Sequence, residues 1–172
     1  MVDYNNSRQA VGNVKAKESA LTIFFATLLL CFINIPHVFA ANSSPSVGSI
    51  TPINSTSQAN SQVIFTTTYS DPDGWQNIRY AQVLINTSIK GANGFLGYYI
   101  QNTNKLYLMN DAGTSYQGGY APGSANTIEN SYVKIDCAQT TVSGTGTTMT
   151  VKWAVTFKDA FVGKKNVYMY VK

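Results

Sequence analysis

The chain has 172 residues, of which 44% are hydrophobic and 12% charged, with twelve Lys and Arg against eight Asp and Glu. That length holds one domain, or one domain and a leader. The net charge of +4 is spread without a basic run, which argues against nucleic-acid binding by phosphate neutralisation, and the apolar and aromatic content argues against intrinsic disorder.

Residues 1–40 read as a secretory signal. A polar stretch in which Arg8, Lys15 and Lys17 outweigh Asp3 and Glu18 precedes the apolar run Ala20–Ile33, which Asn34 and Pro36 close. Val38-Phe39-Ala40 then offers modest and small side chains before Ala41, as signal peptidase requires. The run is shorter than the ~20 apolar residues of a spanning helix, so cleavage after Ala40 is expected rather than a membrane anchor. Cys31 has no small residue before it, which speaks against lipidation. The expected product, Ala41–Lys172, is secreted or held at the cell surface, with no membrane span.

That product has nine Lys and Arg, six Asp and Glu, one cysteine and no histidine. Without an imidazole, Ser-His-Asp and Cys-His chemistry is excluded, as are zinc, copper and iron sites built on histidine. No enzymatic activity and no cofactor are expected. Cys137 alternates with Val133 and Ile135 against Lys134 and Asp136, so it is expected to face inward as an inert thiol.

Residues 41–60 are rich in Ser, Asn, Thr and Pro and read as a linker with a first edge strand around Val47–Thr51. From residue 61 onward period-two alternation dominates, the mark of half-buried strands. It covers Gln62–Tyr69, Ile78–Asn86, the hairpin Phe95–Gln101 and Lys105–Met109, and Tyr132–Cys137. It is clearest in Thr148–Lys158, where Met149, Val151, Trp153, Val155 and Phe157 share a face, and it returns in Asn166–Lys172. Ile78–Asn86 is apolar on both faces and is expected to be central. About seven short strands divided by Gly, Pro, Asn and Ser turns predict an antiparallel β-sandwich over residues 61–172, a closed barrel being the alternative.

Asp71-Pro72-Asp73-Gly74 has the residues of a type I turn, with Trp75 placed to cap the core. Asp71, Asp73 and Asp111 are oxygen ligands of the calcium-binding kind, but three carboxylates in two loops fall short of the several that a six- to eight-oxygen site takes, so a turn is expected. The region 93–130 is dense in Gly, Asn and Tyr. Tyr98, Tyr99, Tyr116 and Tyr120 are its candidates for a sugar-stacking or adhesive surface, against the alternative that they fill the core.

TTTYSDPDGWQNIRYAQVLIN (Thr66–Asn86), YYIQNTNKLYLMNDAG (Tyr98–Gly113), GGYAPGSANTIENSYVKIDC (Gly118–Cys137) and VSGTGTTMTVKWAVTFK (Val142–Lys158) together resemble an immunoglobulin-like repeat of large secreted or surface proteins of bacteria. The resemblance covers nearly all of residues 47–172. It implies tandem immunoglobulin-like β-sandwich modules, and no catalytic residues to carry over. The expected function is a non-catalytic spacer or adhesion unit with a protein or glycan partner at the cell surface; the rival is a carbohydrate-binding module. Relatives continue past the strand equivalent to Asn166–Lys172, so the resemblance also implies a last sheet edge left incomplete here.

Overall fold

A computed structural model describes residues 41–172; residues 1–40, over which a signal is expected, lie outside the described residues, Cys31 among them. The fold is an all-β sandwich of antiparallel strands. In chain order they are β1 Ser46–Thr51, β2 Gln62–Ser70, β3 Tyr80–Asn86, β4 Phe95–Ile100, β5 Lys105–Met109, β6 Tyr116–Tyr120, β7 Thr127–Glu129, β8 Val133–Asp136, β9 Thr141–Thr145, β10 Thr148–Phe157 and β11 Asn166–Val171. One sheet has the order β1-β2-β10-β8-β7, with β9 also on β10, and the other has the order β11-β3-β4-β5-β6. The ten residues of β10 are long enough for β9 to pair with Thr148–Lys152 and β8 with Val155–Phe157.

Beyond the first edge strand, ten strands replace the seven expected over residues 61–172. The additional ones, β6, β7 and β9, are short and rich in Gly, Thr and Ser. Glycine, serine and threonine give little contrast between the two faces, so alternation is weak where the backbone is nevertheless paired. Gly144 in β9 has a packing role: a Cβ there would overlap the Trp75 ring, so the missing side chain is what lets Trp75 pack against the core.

Alternation does build the core between the sheets. Phe65, Thr67 and Tyr69 of β2 and Met149, Val151, Trp153 and Val155 of β10 face Ala81, Val83 and Ile85 of β3, Phe95 and Tyr99 of β4, and Leu106 and Leu108 of β5, all buried. Strand β3 lies between β11 and β4, and even its outward Leu84 is 92% covered, being 8% exposed.

Cys137 is fully buried and free. Burial, with Asp136 adding to it, pushes its thiol up to about 11. Native protein at pH 8 should therefore resist alkylation at this site, and unfolded protein should be labelled completely. Because the folded-state value is raised, this contribution to stability is present below the unfolded thiol range of ~8.5 and is lost as pH rises toward the folded value. Labelling of the native chain at the unfolded rate would contradict the placement.

Candidate functional site

The five-stranded sheet has one face on the core and one toward solvent, and six of the ten tyrosines among the described residues collect on the second. On β3 the outward residues are Tyr80, Gln82 and Leu84; on β4 they are Leu96, Tyr98 and Ile100. On β5 they are Lys105, Tyr107 and Met109, and on β11 Tyr168 and Tyr170. Register then aligns them: Tyr170 lies opposite Gln82, Gln82 opposite Tyr98, Tyr98 opposite Tyr107, and Tyr107 opposite Gly118 of β6. One row thus crosses every strand of the sheet, at the ~4.8 Å step between neighbouring strands.

The rings touch. Tyr170 stacks on Tyr80 with centroids 5.9 Å apart and an interplanar angle of 27°. Tyr80 meets Tyr98 edge-on at 5.1 Å and 77°. Tyr98 in turn lies 4.7 Å from Tyr116 and 6.0 Å from Tyr107. Gln82 donates from Nε2 to the Tyr116 hydroxyl at 3.0 Å, fixing that ring across the sheet from its edge. The result is a continuous aromatic surface on five strands, with Tyr170 51% and Tyr116 37% exposed.

Partial burial raises the phenols of Tyr80, Tyr98 and Tyr116 above their ordinary value. They stay neutral through the physiological range, each able to donate and accept a hydrogen bond. The positive charge of Arg79, the exposed residue before Tyr80, acts in the opposite sense on Tyr80 and Tyr98. None of the five strands contributes an Asp or Glu.

Of the four tyrosines expected from sequence, Tyr98 and Tyr116 belong to this surface. Tyr99 does not: it is 3% exposed, faces the core, and donates its hydroxyl to Asn104 Oδ1 at 3.1 Å. Neighbours in a strand point to opposite faces, so Tyr98 and Tyr99 could not both be outward. Tyr120 is 40% exposed but stands beyond a β-bulge, opposite core-facing Leu106, and meets none of these rings. The bulge follows from Gly118 and Gly119, both at positive φ (109° and 89°), which few other residues adopt. Sequence reasoning missed Tyr80 and Tyr170, whose parity with Gln82 and with Tyr168 already carried the signal.

The acidic candidates are engaged elsewhere. Asp71 is buried; its Oδ1 accepts from the Asp73 amide at 2.9 Å and its main-chain oxygen accepts from the Gly74 amide at 3.1 Å, as a turn requires, while Oδ2 has no partner among the described residues. Asp73 Oδ2 accepts from the Ser43 amide at 2.5 Å. Asp111 sits in another loop, accepting from the Ser131 amide at 3.0 Å and from its hydroxyl at 2.6 Å. The described residues contain no cluster of three or more Asp, Glu, His or Cys placed to hold a metal ion. Melting in millimolar calcium is therefore expected to match melting in chelator. A site filled at one hundred times its dissociation constant would add ~2.7 kcal/mol, and an upward shift of that size would restore the calcium reading.

A polar cleft of about 350 Å³ lies between Asp111, Gln117, Glu129, Ser131 and Lys158. Its charges serve one another: Lys158 Nζ is 3.0 Å from Glu129 Oε2 and donates to the Asn130 carbonyl at 2.7 Å. No helix among the described residues is long and apolar enough to cross a membrane. The chain matches no protein-family model, no curated protein and no solved structure.

Proposed function

We propose that this chain is a non-catalytic, immunoglobulin-like module of a secreted or cell-surface protein, and that it adheres through the tyrosine face of its five-stranded sheet. The row from Tyr170 through Tyr98 to Tyr107 carries the reading. Tyrosines supply large contact area at small entropic cost and keep a polar tip for a partner, which is why recognition surfaces are rich in them. A plain spacer has no use for five contiguous tyrosines on a solvent face, where charged or Thr side chains would keep the sheet soluble at less risk of association. The repeat resemblance and the signal-like leader support the extracellular setting.

Two measurements test this reading. Mass spectrometry of exported protein should find Ala41 at the N-terminus; an intact Met1 would count against export. Exported protein should be retained on glycan- or protein-coated beads, and Tyr98→Ser with Tyr170→Ser should abolish retention while leaving the fold intact. Equal behaviour of wild type and variant would reduce the module to a spacer.

A further inference from the structure

We infer that the tyrosine face takes a single chain of an acidic polysaccharide, a polyuronate. The inference rests on the adhesive reading and adds the class of ligand to it. Beside the tyrosine row runs a second outward row, in which Lys172 lies opposite Tyr80, Tyr80 opposite Ile100, and Ile100 opposite Lys105. It begins and ends in a lysine, four strands and roughly 14 Å apart at the normal strand spacing. Arg79 precedes Tyr80 at the same end of the strands. All six acids of the described residues lie off the strands of this sheet, in β7, β8, the 3-10 turn Asp159–Phe161 or loops. The face is therefore aromatic along one line and positive along the next, with no Asp or Glu side chain on its strands to repel an anion.

A polyuronate is the complement of that arrangement. The C–H faces of a pyranose carry slight positive charge and meet the negative face of a phenol ring. The advance per sugar of an extended polymer is of the same order as the 4.7 to 6.0 Å between neighbouring ring centroids of the face. Carboxylates along one edge of such a polymer would then reach Lys172, Arg79 and Lys105, with Arg able to bind them bidentately. Ring geometry selects a single chain over a crystalline surface: Tyr80 stands 77° to Tyr98, so the rings form a stepped face rather than a flat platform.

Calorimetry on the exported protein tests this with polygalacturonate, its fully methyl-esterified form, and a single-stranded oligothymidylate. Polygalacturonate should bind, the ester at least tenfold more weakly. Combined Arg79→Gln, Lys105→Gln and Lys172→Gln should weaken polygalacturonate by about tenfold, as three exposed ion pairs would, and leave the ester unchanged. Tyr170→Ser, at an exposed edge position, should weaken both. Affinity should fall with added salt and stay level between about pH 5 and 9, where uronates are ionised and the phenols neutral. Equal binding of acid and ester, indifferent to the Gln variant, would overturn the acidic ligand and leave adhesion standing. Tighter binding of the oligonucleotide would overturn it in favour of nucleic acid. Binding of neither polymer would overturn it too, and bead retention then decides the adhesive reading by itself.

Discussion

Trp153→Ala is expected to lower the stability of the sandwich by ~3–5 kcal/mol, the usual cost of emptying a large buried aromatic site. Trp153 is wholly buried in β10 and meets Phe95 of the opposite sheet edge-on at 6.2 Å. Its indole Nε1 donates to Thr67 Oγ1 at 3.1 Å, and that hydroxyl donates to the Val151 carbonyl at 3.1 Å. The substitution thus removes both the volume between the sheets and the donor that satisfies a buried hydroxyl. Gly97 sits under the ring, where a Cβ would lie 3.1 Å from the indole Cζ3, so the facing strand is already as close as it can come and has no side chain to refill the space. Denaturant unfolding measures the loss; a change under ~1 kcal/mol would mean that the core is centred elsewhere.

A comparable loss is expected at Asn130, on a turn between β7 and β8. Its side chain is buried, with Nδ2 donating to the carbonyls of Gly94 and Met109, each at 3.0 Å. Oδ1 accepts from the amides of Tyr132 and Val133, each at 2.9 Å. Both donors and both acceptor positions of the amide are thereby used, and one side chain ties the turn to the end of β5 and to the loop entering β4 of the other sheet. Asn130→Ala strands two amides and two carbonyls, and leaving a buried group unpaired costs ~1–3 kcal/mol. The expected total is ~3–5 kcal/mol, below the sum because water reaches some of the groups. Asn130→Asp keeps the shape but points a carboxylate at two carbonyls, and should be destabilising as well. Two variants as stable as wild type would show that the turn is held by other bonds.

The two residues differ in how far sequence reveals them. Trp153 stands in the longest alternating run, between Val151 and Val155, so its inward direction follows from periodicity alone. Asn130 follows Glu129 and precedes Ser131 in a polar stretch, where nothing local separates a buried amide from a solvated one; its role comes from Gly94 and Met109, distant in the chain. Asn86 is similar. It begins an Asn-Thr-Ser sequon, yet it is 6% exposed and its Nδ2 donates to the carbonyls of Lys90 and Ala92. The sandwich class was legible because inward apolar and outward polar residues alternate in its central strands. Strands β6, β7 and β9 were not legible, since glycine, serine and threonine give little contrast between faces. The candidate surface was half legible. Tyr98 and Tyr116 lie in the Gly- and Tyr-rich region, whereas Tyr80 and Tyr170 join them only through strand order, which places β11, last in the chain, beside β3.

The adhesive role of that surface is tested most directly by nuclear magnetic resonance of uniformly isotope-labelled protein, titrated with oligogalacturonate and with its methyl ester. Ring signals of Tyr80, Tyr98, Tyr116 and Tyr170 should shift together and saturate at one affinity, while those of core-facing Tyr69 and Tyr99 stay in place. Saturable shifts confined to backbone signals around Asp111 and Lys158, with the outward tyrosines unmoved, would contradict the account and place recognition in the polar cleft instead.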